Sequence, residues 1–137
     1  MDASANRAVL RADDALRISL ALVWLLEGLL PKILFLRPAE TEAFTRAVPF
    51  LPGNPEPLVR ALGGFETLLG ALLLAGLVVL PILWIMLGLL VLFTGLLLVQ
   101  SPVLVLDPTG GLIKNVALIG ATGALVALRR GAFAEAI

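Results

Sequence analysis

From Leu58 to Val99 the chain is almost continuously apolar, and no other feature restricts its fold as strongly. As one helix this run would be about 60 Å long, around twice the thickness of a bilayer's hydrocarbon core, so it must fold back on itself. Pro81, preceded by Gly76, is the best break, because proline removes a backbone donor and disfavours helix in the residue before it. Two spans of about 58–76 and 82–99 follow, joined by a tight turn.

Composition places the whole chain in the same class. Hydrophobic residues make up 60% and charged residues 15%, with a mean hydropathy of +1.06, far from the roughly one-quarter charged content of soluble domains. This is the profile of an integral membrane protein. The 137 residues accommodate about four spans of roughly 20 residues, read here as a single bundle over 1–137. The first span, about 16–36, is flanked by Arg17 and Arg37, about 30 Å apart along a helix. The apolar run there lacks a small-residue cleavage pattern and is read as a retained span rather than a signal peptide. A fourth span, about 112–128, stops at Arg129, Arg130 and Gly131. The expected fold is therefore all-α, a four-transmembrane-helix bundle.

The connections carry their own signals. Arg7, Arg11, Asp13, Asp14 and Arg17 have helical spacing and suit a short surface helix that feeds into the first span and is held by exposed ion pairs. After the first span, Pro38 opens a short amphipathic helix to Val48 with Ala39, Ala43, Phe44, Ala47 and Val48 on one face. Pro49, Pro52, Pro55 and Pro57 make the remainder of that loop turn-rich. The second outer loop, 100–111, reads as a surface loop. Both tails are rich in arginine, a bias that favours cytoplasmic termini.

With that topology, depth follows from helical rise. Lys32 lies five positions before Arg37 and Glu66 six after Arg60, so both sit roughly 8–9 Å below the outer boundary. Lys114 and Asn115 open the fourth span on the same side. Lys32, Glu66, Lys114 and Asn115 are thus expected to converge in the outer half of the bundle as a buried ion-pair network, with Glu66 between two lysines. Charges in hydrocarbon are costly unless paired, so such residues mark a functional or packing centre. Gly63, Glu66 and Gly70 share a face, which turns the carboxylate toward protein. Lys114, Ala117, Ala121 and Ala124 form a comparable stripe. Glu27 is about 140° round from Lys32 on an ideal helix. Pro31 stands between them, and the sequence leaves open whether Glu27 joins the cluster.

Other classes are set aside by what the chain contains. Zero net charge and no dense basic run give no sign of nucleic-acid binding. Without cysteine or histidine there is no thiol chemistry, Cys/His zinc site or usual haem ligand, and no metal or covalently held cofactor is expected. No motif fixes a reaction, so the sequence leaves open whether the protein is an enzyme. Trp24 and Trp84 read as interface anchors or packing residues, and Gly88 and Gly95 as helix-packing positions.

The runs WLLEGLLPKILF (24–35), ALGGFETLLGALLL (61–74) and DPTGGLIKNVALIGA (107–121) resemble the three signature regions of the DoxX-like family of small four-helix bacterial membrane proteins. The resemblance covers nearly the whole chain in the expected order. Its most specific parts are Gly28, Pro31 and Lys32, then Gly63 and Glu66, then Lys114 with Asn115. It implies a place in the bacterial inner membrane, association with quinone-linked redox systems in DoxX and DoxD relatives, and a shared polar role for Lys32, Glu66, Lys114 and Asn115. The chain lacks the cysteine that a thiol mechanism would need.

Two functions then compete. In one, the lysines attract an anionic or carbonyl-bearing ligand, a quinone or a lipid head group, in an accessory component of a membrane redox system. In the other, the polar network only fixes helix packing in a structural subunit of a larger complex or homo-oligomer. Transport ranks below both, since no inverted repeat is evident.

Overall fold

The computed structural model describes residues 3–51, 53–100 and 111–134, and every regular element among them is helical. Helix α1 spans Ala3–Leu29 and continues into a π-helical turn, Leu30–Leu34. It is followed by α2, Pro38–Ala47; α3, Glu56–Leu74; α4, Val79–Gln100; and α5, Gly111–Ala134. Helices α3 and α4 are each long and apolar enough to cross a membrane. A third span arises if α1 and α2, which are bent by 104° at their junction, count as one broken span.

The element boundaries depart from the expected ones for local reasons. The arginine-rich N-terminal stretch is helical as expected and runs into the first span without a break: α1 is continuous from Ala3, because nothing in it breaks the backbone ladder. Between α3 and α4 the chain reverses at 75–78, ahead of Pro81. Gly76 takes the left-handed conformation, φ +73°, and the Leu77 N–H donates to the Leu72 carbonyl at 3.1 Å, the wrapping that ends many helices. Pro81 then falls in the first turn of α4, where a missing N–H costs nothing. Helix α5 runs past Arg129, Arg130 and Gly131 to Ala134, since the expected stop residues are tolerated inside a helix that has docking partners. The loop 101–110, with Asp107, lies outside the described residues.

Helices α1 and α3 pack antiparallel with their backbones almost touching. A Cβ on Gly28 would lie 2.5 Å from the Gly63 carbonyl oxygen, and one on Gly70 would lie 2.6 Å from the Leu25 nitrogen. Two arginines tie this pair at its ends. Arg17 donates to the Leu73 and Leu74 carbonyls at 3.0 and 2.8 Å, closing the C-terminus of α3, and Arg60 donates to the Ile33 carbonyl at 2.7 Å, closing the π turn after α1. Asp13 and Arg17, expected on a solvated face, therefore make tertiary links, Asp13 by accepting from Arg129 Nε at 2.9 Å.

The core lies where α1, α3, α4 and α5 meet, with Leu73, Leu83, Met86 and Leu125 fully buried. Pairings α1 with α5 (Asp13–Arg129 and Glu27–Lys114) and α4 with α5 (Thr94–Asn115 and Trp84–Arg130) are also antiparallel. The described starts of α1 and ends of α5 consequently lie at one end of the bundle, and α2 covers the other. The packed face of α5 runs through Leu118, Thr122, Leu125 and Val126; Ala117 and Ala124, expected to face inward, are exposed. Gly88 and Gly95 have open space where a Cβ would stand, with no neighbour within 4 Å of it among the described residues.

Candidate functional site

The α2 end of the bundle holds a cavity of about 230 Å³. All five helices contribute to its wall. Apolar side chains, among them Trp24, Leu62, Leu90, Phe93 and Leu118, make up most of the lining, and Glu27, Lys32, Glu40, Glu66, Lys114 and Asn115 supply the polar part. An apolar concavity with a few convergent polar groups is the usual form of a small-molecule site.

The π turn sets the register of the polar groups on the first helix. Pro31 has no N–H to donate, so the regular ladder fails there, and the Phe35 N–H reaches back five residues to the Leu30 carbonyl at 2.8 Å. A wider turn takes more residues per revolution, which reduces the 140° that an ideal helix places between Glu27 and Lys32. Both side chains then reach the cavity, and Glu27 joins the cluster.

Two ion pairs form rather than one chain of charges. Lys32 Nζ donates to Glu66 Oε2 at 2.5 Å, with both side chains about one-eighth exposed. Lys114 Nζ stands 2.7 Å from Glu27 Oε1, with each side chain about two-fifths exposed. Glu66 is thus not held between two lysines. Lys114 pairs with the carboxylate that the sequence left unplaced, because α5 docks beside α1. Lys32 and Glu66, expected at a common level, do meet, but the first pair is partly rather than fully buried and the second is half-exposed.

Asn115 belongs to a third link: its Nδ2 donates to Thr94 Oγ1 at 3.1 Å, joining α5 to α4, and Thr94 is buried. Thr94 and Glu40 were both missed by sequence reasoning. Glu40, on α2, lies 4.0 Å from Lys32 Nζ and lines the cavity beside Ala43, Phe44 and Ala47, whereas Ala39, expected on the same face as those three, is exposed. The 104° bend that swings α2 over the bundle was not legible in local sequence. Trp24 is 6% exposed, packs in the core and contributes to the cavity wall, so it is no interface anchor. Trp84 is exposed at the opposite end, where the Arg130 guanidinium lies 5.1 Å from its ring centroid.

Three carboxylates and two lysines thus surround a mainly apolar space, and every lysine charge is answered by a protein carboxylate. Such an arrangement can hold an amphiphile by its head while leaving the tail to lipid.

Comparison with curated proteins and with solved structures gives no match. The model of the DoxX-like family matches residues 21–123, which takes in the π turn, the glycine face of α3 and the start of α5. With these apolar helices the chain is a multi-pass membrane protein, and it belongs to the DoxX-like family.

Proposed function

We propose that this protein crosses the membrane four times and binds a membrane-soluble amphiphile, a quinone or a lipid, in the cavity under α2, as an accessory component of a bacterial membrane redox system. The cavity itself carries this reading: about 230 Å³ of space whose walls are apolar and whose charged groups gather at one end of the bundle. The volume suits a head group or a single ring rather than a whole lipid. Four crossings are supported by the antiparallel course of α1, α3, α4 and α5, and by the lengths of α1 and α5, 27 and 24 residues or about 40 and 36 Å. Arginines at the end shared by the described parts of both terminal helices favour placing that end in the cytoplasm.

Purification in nanodiscs from native membranes, followed by mass spectrometry of retained lipids, quinones and proteins, tests the proposal on wild type and Glu66→Gln. A small molecule present in the wild type and depleted in a folded variant is the expected outcome. The second reading, a structural or assembly subunit, draws on one observation: each charged group of the cavity already has a partner on another helix, as a network that sets helix register would require. A stoichiometric protein partner with no retained small molecule would favour it.

A further inference from the structure

One residue of the cavity wall carries a buried polar atom that has no partner among the described residues. The indole Nε1 of Trp24 makes no hydrogen bond among the described residues, although the side chain is 94% buried and forms part of the cavity wall. A buried donor is ordinarily satisfied, and an exception calls for a specific cause. The charge around the same cavity adds a second constraint. Lys32 is paired with Glu66 and lies near Glu40, and Lys114 is paired with Glu27. Protonation of any one carboxylate would leave the set neutral, and full ionisation would leave it negative. No lysine charge remains for an anion, and an anion entering the cavity would have to displace a carboxylate already in place.

We propose that the cavity selects an uncharged amphiphile through a carbonyl oxygen that accepts from Trp24 Nε1–H once the indole turns that edge to the cavity, and that it rejects anionic head groups. This rests on the ligand-binding reading above and narrows it, removing the anion that the two lysines alone would have suggested. Quinones and neutral acylglycerols both present a carbonyl on an apolar body. A phospholipid of the phosphatidylglycerol type presents an anion.

The test uses full-length protein in neutral-detergent micelles with three probes: a short-chain benzoquinone, a monoacylglycerol, and a lysophosphatidylglycerol of the same acyl length. With tryptophan labelled by ¹⁵N, the two indole cross-peaks belong to Trp24 and Trp84, and Trp84→Phe assigns them. The expected result is that at least one neutral probe moves the Trp24 peak downfield in wild-type protein while the anionic probe leaves it in place. The responding neutral probe identifies the source of the carbonyl. Trp24→Phe, which keeps an aromatic side chain but loses the donor, should bind that probe about fivefold more weakly, the worth of one hydrogen bond. Tight binding of the anionic probe, or a neutral probe that binds without moving the Trp24 peak, would overturn the selection while leaving a ligand cavity. Failure of all three to bind would remove the ligand-binding reading itself. The spectrum of the wild type decides the matter even where the variant does not fold.

Discussion

At the scale of single residues, the two lysine–glutamate pairs differ in worth because they differ in exposure. The Lys32–Glu66 pair is mostly shielded, so removing one partner strands the other in a poor solvent, whereas Glu27–Lys114 retains access to polar surroundings. A double-mutant cycle on Lys32→Met and Glu66→Gln, followed by thermal unfolding in detergent, should give a coupling of about 0.5–3 kcal/mol. The same cycle on Lys114→Met and Glu27→Gln should give about 0.2–1 kcal/mol. Lys32→Met should be the more damaging single change of the first pair, since it leaves both Glu66 and Glu40 without their cation, while Glu66→Gln leaves Lys32 near Glu40. Equal couplings in the two cycles would mean that shielding does not separate the pairs.

At the scale of elements, the α1–α3 contact is the tightest in the molecule, and glycine is what permits it. In lipid, helix association draws little from hydrophobic burial and depends on close packing and polar links, so a methyl group in this seam acts directly on stability. Gly70→Ala should destabilise by about 1–3 kcal/mol, because its Cβ would meet backbone atoms of Leu25 and Ala21 that cannot move independently. Gly64→Ala, one position from Gly63 but facing open space, should be neutral or stabilising by up to about 1 kcal/mol from helix propensity. Thermal unfolding of both variants checks the contrast, and similar losses for the two would place the seam elsewhere. The reciprocal arginine caps, Arg17 on α3 and Arg60 on the π turn, hold the ends of the same pair.

For the whole molecule, the four antiparallel helices place Glu42 of α2 and Arg7 of α1 at opposite ends. The chain has no cysteine, so single substitutions can be labelled without background. In intact cells a membrane-impermeant maleimide should label Glu42→Cys, whereas Arg7→Cys and Gly131→Cys should react only after permeabilisation. Labelling of Glu42 and Arg7 from the same side would contradict a four-crossing bundle, and exchange of the two patterns would invert it.

The membrane class, the helical content, the short α2 helix and the common level of Lys32 and Glu66 were all legible in the sequence, because hydropathy, proline position and helical rise are local properties that survive any packing. Partner choice was not. Lys114 finds Glu27 rather than Glu66, Asn115 finds Thr94, and Glu40 reaches the cavity only because α2 turns back over the bundle. The inward face of α5 was misassigned for the same reason: in a helix apolar nearly all round, small residues do not by themselves say which side meets protein and which meets lipid. These outcomes depend on how helices rotate and dock. The apolar pattern determined that four long helices would bundle together, and only the tertiary structure decided which polar groups would face one another and leave the Trp24 indole N–H without an acceptor among the described residues.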